Sequence, residues 1–235
     1  ATGASHPPRH ASFDQVFEQS WRRLAPAERQ VLARLSVFQN GFTAAAARAV
    51  ARASLPVLGA LADKSLLRRD GERMRLHPLV QQAAAARLEE AGDRLAARDA
   101  HAAYFHELLV RLRPAMEGGD RAALDALDAD ADNAARSWSH AFTVRDGAVL
   151  RRIARTLLNY CDYRGRFEEG LQLLRRSIDT ELAREDEALR ALLVSMAAHL
   201  EYRLDRYAEA EAGATQALAL ARRTRERAAQ IQCET

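Results

Sequence analysis

The sequence predicts a mainly α protein: a small domain of three helices and a β-hairpin, followed by an α-solenoid of helical hairpins. Three observations carry this. Alanine and leucine, both strong helix formers, dominate the chain. One short stretch, residues 66–77, breaks the helical pattern around Asp70-Gly71. After Gly92, apolar residues recur at helical spacing, interrupted only by short breaks. The 235 residues suit one to two domains, and a hydrophobic content of 48% suffices for a packed core. Aromatic content is only 6%, so that core is to be built from Leu, Val and Ala. With 11 Gly and 6 Pro, a collagen-like or generally disordered chain is excluded.

Residues 1–11 read as a linker containing Pro and His. Ser12 is a helix cap, and Val16, Phe17, Trp21 and Leu24 share one face of the helix that follows. Pro26 opens a second helix at its first position, with Val31, Leu32, Leu35 and Phe38 on one side, and Asn40-Gly41 ends it. Thr43 and Ser54 start two further short helices. Two strands around the Asp70-Gly71 turn follow, and Pro78 then opens a helix that Gly92 terminates. Three helices and then a hairpin is the order of a winged helix, here residues 12–91.

Residues 92–145 form a helical connector: a helix over 93–113 stopped by Pro114, then one or two more. Residues 146–235 are tetratricopeptide-like repeats, with helices at 148–163, 167–182, 187–204 and 207–223. Two of the breaks match at an offset of about 40 residues. Gly165 aligns with Asp205, Phe167 with Tyr207, Gly170 with Ala210, and Ile178 with Leu218. Each break supplies a short turn, an aromatic to anchor the next helix, and a small residue where two helices cross closely. Residues 224–235 resemble the first turns of another repeat, so the natural protein is expected to continue past Thr235, or this edge to be covered by a second copy. Ala1 is not an initiator methionine, and the chain is expected to belong to something longer.

The charge balance excludes little: 35 basic and 32 acidic side chains leave +3, with the region through Gly92 basic and the remainder slightly acidic. Lys64 is the only lysine. Cys161 and Cys233 lie far apart and read as reduced thiols of a cytoplasmic protein. No apolar run reaches the roughly 18 residues that span a membrane. Lys64-Ser65 follows Asp63 where a P-loop requires Gly, so no nucleotide cradle is present. A calcium loop starting at Asp128 fails at Asn133 and Ser139. Asp132 or Asn133 reads instead as a helix cap. His101 and His106, five apart, do not share a helix face as metal ligands would. No catalytic residue, metal site or cofactor is expected within this chain, and it is not expected to be an enzyme.

Four segments carry a resemblance. They are SW-x2-L-x-P from Ser20 to Pro26, RLSVF-x2-GF from Arg34 to Phe42, L-x-DKSLL from Leu61 to Leu67, and LH-x-L from Leu76 to Leu79. With HAAYF at 101–105 and Asp132-Asn133, they resemble the winged-helix region that follows the ATPase core in bacterial STAND-class signalling ATPases, including large LuxR-type transcriptional regulators. The resemblance covers essentially residues 10–223. It implies an upstream nucleotide-binding domain that uses ATP and ADP, a winged helix acting as a switch, and repeats that bind a protein or small-molecule ligand. By position, Leu76-His77-Pro78 matches a Met-His-Asp-like motif whose histidine reaches the ADP phosphates. Pro78 replaces the acidic member. His77 is thus either a phosphate sensor or a strand-end histidine satisfying backbone groups.

Arg68, Arg69, Arg73 and Arg75 on the hairpin could touch phosphates or an acidic protein surface. The alternative function is a transcription factor reading DNA directly through the winged helix. The third helix, SLPVLGALADKS, offers almost no base-edge chemistry, so specific DNA binding is not expected.

Overall fold

A computed structural model describes residues 8–224, with side chains from residue 15 onward. It divides into two compact units at Tyr104/Phe105. This division coincides with neither of the predicted boundaries, at 91/92 and 145/146.

In the first unit, α1 (Pro8–Arg22) starts four residues inside the predicted linker, with a proline pre-set for the first helical turn. α2 (Pro26–Leu35), β1 (Phe42–Thr43), α3 (Ala44–Ala51) and α4 (Leu55–Asp63) follow. β2 (Arg68–Asp70) and β3 (Arg73–Arg75) form the hairpin, and α5 (Pro78–Glu90) packs on α2. Two predicted caps are in place: the Thr43 hydroxyl accepts from the Ala46 amide and the Ser54 hydroxyl from that of Val57, whereas Ser12, predicted to cap the first helix, lies inside α1. Each such cap is worth about 1 kcal/mol. The sheet order is β1-β3-β2, antiparallel throughout. β1 is an addition to the prediction; two residues are too few to show an alternating pattern. The hairpin loop is Gly71-Glu72, one residue later than Asp70-Gly71 suggests, because Asp70 pairs with Arg73. Leu32, Leu35, Phe38, Phe42, Val50 and Leu61 are almost wholly buried and make the centre of this unit.

Polar ties fix the packing. Glu28 accepts from the Ala25 amide at 2.8 Å and pairs with Lys64 at 2.5 Å. The Lys64 ammonium, then the Ala25 amide, holds the Glu28 carboxyl below its ordinary range. The single lysine therefore links the end of α4 to the start of α2. Arg34, nearly buried, donates to the Val50 carbonyl at 3.1 Å and pairs with Asp93 at 3.4 Å.

The unit division falls within α6 (Arg94–Glu117), which runs through Pro114 rather than stopping there. Pro114 removes only the bond from its own nitrogen, near the end of the helix. Its carbonyl still accepts from Gly118 at 3.0 Å, and Met116, fully buried, anchors the last turn. Gly119, at φ +77°, then ends the helix.

α7 (Arg121–Asp128), α8 (Ala131–Thr143), α9 (Gly147–Arg164), α10 (Phe167–Ile178), α11 (Glu181–Glu185), α12 (Glu187–Arg203) and α13 (Tyr207–Thr224) complete the second unit. The predicted connector is not a separate layer there. Leu109, Leu127 and Trp138 share one apolar core with Leu150, Ile153, Leu171 and Leu193. The helix predicted over 167–182 breaks at Asp179-Thr180. Thr180 donates to the Ser177 carbonyl at 2.7 Å and caps α11 by accepting from Ala183. α12 is buried almost throughout, between α9, α10, α11 and α13. The result is a mainly α chain with a helical-repeat region. The predicted turns of a further repeat lie outside the described residues from 225 onward, as does Cys233. No single helix among the described residues is long and apolar enough to cross a membrane.

Candidate functional site

Two stretches of chain, residues 35–42 and 68–81, converge on one pocket of about 450 Å³ in the first unit. The hairpin contributes Arg68 and Arg75, the start of α5 contributes His77 and Gln81, and the α2–β1 turn contributes Asn40 and Gly41. The turn is backbone-driven. Asn40 has φ +53° and Gly41 φ +109°, and a Cβ at Gly41 would lie 2.8 Å from the Met74 carbonyl oxygen. Only glycine lets this turn come so close to β3. Gln81 then ties α5 to the end of α2, its amide donating to the carbonyls of Phe38 at 2.6 Å and Ser36 at 3.1 Å.

His77 is the N-cap of α5, and its Nδ1 accepts from the Leu79 amide at 3.3 Å. Pro78 occupies the first helical position, where its missing N–H costs nothing. An accepting Nδ1 places the proton of the neutral ring on Nε2, which is then a donor. Both roles weighed from sequence thus have a nitrogen: Nδ1 satisfies a backbone group, and Nε2 is left to donate.

Of the four hairpin arginines, Arg68 and Arg75 line the pocket and Arg69 and Arg73 do not. Arg73 donates to the Gly41 carbonyl at 3.3 Å, bracing the turn. Arg68 and Arg75 are directly opposed in the antiparallel register. α4, the helix a DNA reader would insert, exposes Leu55 (62%) beside Pro56, a surface without base-edge donors.

In the second unit the two matched breaks share one geometry. Gly165 has φ +65° and Asp205 φ +59°. The next amides, of Arg166 and Arg206, close back on the carbonyls of Cys161 (2.8 Å) and Glu201 (2.9 Å), so both helices end in the same left-handed cap. Gly170 is a close crossing: a Cβ there would lie 2.8 Å from Cys161 Sγ and 2.9 Å from Leu200 Cδ1. Ala210 is buried at the matching place. The aromatic anchors diverge. Phe167 packs against the core, with the Arg203 guanidinium 4.8 Å from its ring centroid. Tyr207 is 59% exposed, its hydroxyl donating to Asp205 at 2.6 Å and its ring edge-on to Tyr202, so it anchors nothing in the core.

The acidic run around Asp128 is spent on structure. Asp125 and Asp128 pair with Arg164, and Asp128 accepts from the Tyr160 hydroxyl at 2.8 Å. Burial first, then this bond to Asp128, pushes the Tyr160 phenol up to about 12, so it stays a donor. The residue at the cap position of α8 is Asp130, not Asp132 or Asn133. Asn133, wholly buried, donates to it at 3.2 Å. Burial pushes the Cys161 thiol up to about 11, the opposite of an activated nucleophile. Among the described residues no three His, Cys, Asp or Glu side chains group as metal ligands would. Sequence reasoning missed Asn40, Gly41 and Gln81 as pocket residues. Asn40-Gly41 signals a turn but not what the turn approaches.

No protein-family model matches the chain, and no curated protein does. Among solved structures, it is similar to a Signal Transduction ATPase with Numerous Domains (STAND) protein with a tetratricopeptide repeat sensor from Pyrococcus horikoshii. The identity is 13% and the TM-score 0.46, over 98% of this chain and 36% of that one. The chain therefore spans about a third of the length of that protein.

Proposed function

We propose that this chain is the regulatory arm of a STAND-type signalling ATPase or large transcriptional regulator. In this reading residues 12–91 are a winged helix that relays nucleotide state, and the helical repeats receive a ligand or partner protein. One observation carries it: His77 and two hairpin arginines line a single pocket, at the position where the sequence resemblance places a phosphate sensor. The order α2, β1, α3, α4, β2, β3 supports the winged-helix assignment.

The chemistry follows from the geometry. Nε2 of His77 would meet the phosphates of ADP held by an upstream domain. Charge-assisted bonds of this kind contribute about 1.5–3 kcal/mol each. His77 caps α5, whose Val80, Ala84 and Leu88 are buried in the same unit, so a phosphate contact at His77 would bear directly on a packed helix. The apolar surface of α4 favours docking on protein over reading of DNA.

The test joins this chain to the residues that precede it in its reading frame and measures ADP retention. His77→Ala is expected to speed ADP release at least about tenfold and to raise basal signalling. Unchanged ADP retention would overturn the sensor role and leave His77 a helix cap.

A further inference from the structure

We propose that Arg68 and Arg75 form a cross-strand clamp that binds a pyrophosphate-class anion directly in this chain, with His77 as the third donor. The proposal rests on the phosphate-sensing reading of the same pocket and adds which residues supply the affinity and what they recognise.

Directly opposed residues of an antiparallel pair hold their Cβ atoms about 4.5–5.5 Å apart, and like charges placed so repel. The Arg68–Arg75 pairing is such a placement. Neither arginine is strongly compensated. The Arg68 side chain makes no hydrogen bond or ion pair among the described residues, and Arg75 has a long 3.7 Å pair with Asp70, whose side chain is 74% exposed. By contrast, Arg151 pairs with Asp186 at 2.7 Å and Arg206 with Glu168 at 2.9 Å.

No carboxylate lines the pocket, while two guanidiniums and an imidazole do. Each guanidinium offers a planar fork of donors that matches phosphate oxygens. Two cations face one another across the strands, so a ligand with at least two negative charges relieves the repulsion that a neutral ligand leaves. The start of α5 adds the positive end of a helix dipole. Arg69, on the same strand, lies outside the pocket and serves as an internal control.

The experiment is calorimetric titration of the 235-residue chain with pyrophosphate, ADP and adenosine at low salt. Pyrophosphate and ADP are expected to bind with similar affinity, and adenosine not to bind. Arg68→Gln and Arg75→Gln should each weaken pyrophosphate binding about tenfold or more. Arg69→Gln should leave it unchanged, and Asp70→Asn should tighten it. These side chains are exposed, and unchanged melting temperatures would show the variants folded; Arg68→Lys, which keeps the charge and loses the fork, should fall between Arg68→Gln and the parent. Absence of pyrophosphate binding overturns the clamp, as does an Arg69→Gln loss equal to that of Arg68→Gln. The two proposals separate cleanly. Pyrophosphate binding without any effect of His77→Ala on ADP retention removes the relay alone, and the reverse result removes the clamp alone.

Discussion

Trp138 on α8 donates its indole N–H to the hydroxyl of Ser177 on α10 at 2.9 Å, in a site where neither side chain meets solvent appreciably. The Ser177 hydroxyl in turn donates a hydrogen bond to the Leu173 carbonyl at 2.8 Å. The bond joins the segment predicted as a connector to the first repeat.

Ser177→Ala leaves a buried indole N–H without a partner, a cost of about 1–3 kcal/mol. Urea unfolding followed by Trp fluorescence should show that loss, with an unchanged slope. Stability equal to the parent's would mean that the indole finds another acceptor.

Gly170→Ala tests the close crossing of α9, α10 and α12. In an open helix the change would gain up to about 1 kcal/mol. Here the new methyl meets Cys161 Sγ and Leu200 Cδ1 at under 3 Å, so overpacking by about 1–3 kcal/mol decides the sign. The double variant Gly170→Ala with Cys161→Ala should recover part of the loss. Additive losses in the pair would show that the two sites do not touch.

His106 predicts a pH dependence. Its ring is buried and bonded to the Ser137 carbonyl at 3.1 Å, and burial lowers its pKa from the ordinary 6.5. His140 and Arg152 act in the same direction, while the Ser137 bond and Asp146 oppose it. Below about pH 6.5 the unfolded chain takes up a proton that the folded chain refuses, so stability falls as pH falls, until the folded value is passed. Relative to His106→Gln, the parent should lose stability between pH 7.5 and 5 in urea titrations. A difference that stays constant over this range would assign the acid sensitivity to other groups.

Much of the fold is written in local chemistry, and that part is legible. Thr43, Ser54, Pro26 and Pro78 start helices for reasons confined to a few neighbouring residues. Gly165 and Asp205 fit the same left-handed turn, one because it lacks a Cβ and the other because a short polar side chain tolerates it. What escaped has two causes: contacts with distant core residues, and local polar bonds that compete with the expected pattern. Pro114 stays helical because Met116 is held by the core, and Thr180 breaks a helix by capping the next one. Tyr207 matches Phe167 in the sequence, yet its hydroxyl finds Asp205 at the surface. The pocket is half legible: His77, Arg68 and Arg75 stand out as chemistry, whereas Gly41 and Gln81 acquire their roles only where α2, β3 and α5 meet.

The near-complete enclosure of α12 bears on how such chains change over evolutionary time. Leu189 and residues 191–198 are buried on all sides of the helix, and Ala191 is covered together with Leu220 and Ala221 of α13. A deletion that removed α13 alone would lay bare a helix with no polar side to turn outward. Gain or loss of length in this region is therefore expected to proceed by whole hairpins, with single-residue insertions tolerated in turns such as 165–166 and 205–206, where the ladder of helical bonds is already interrupted.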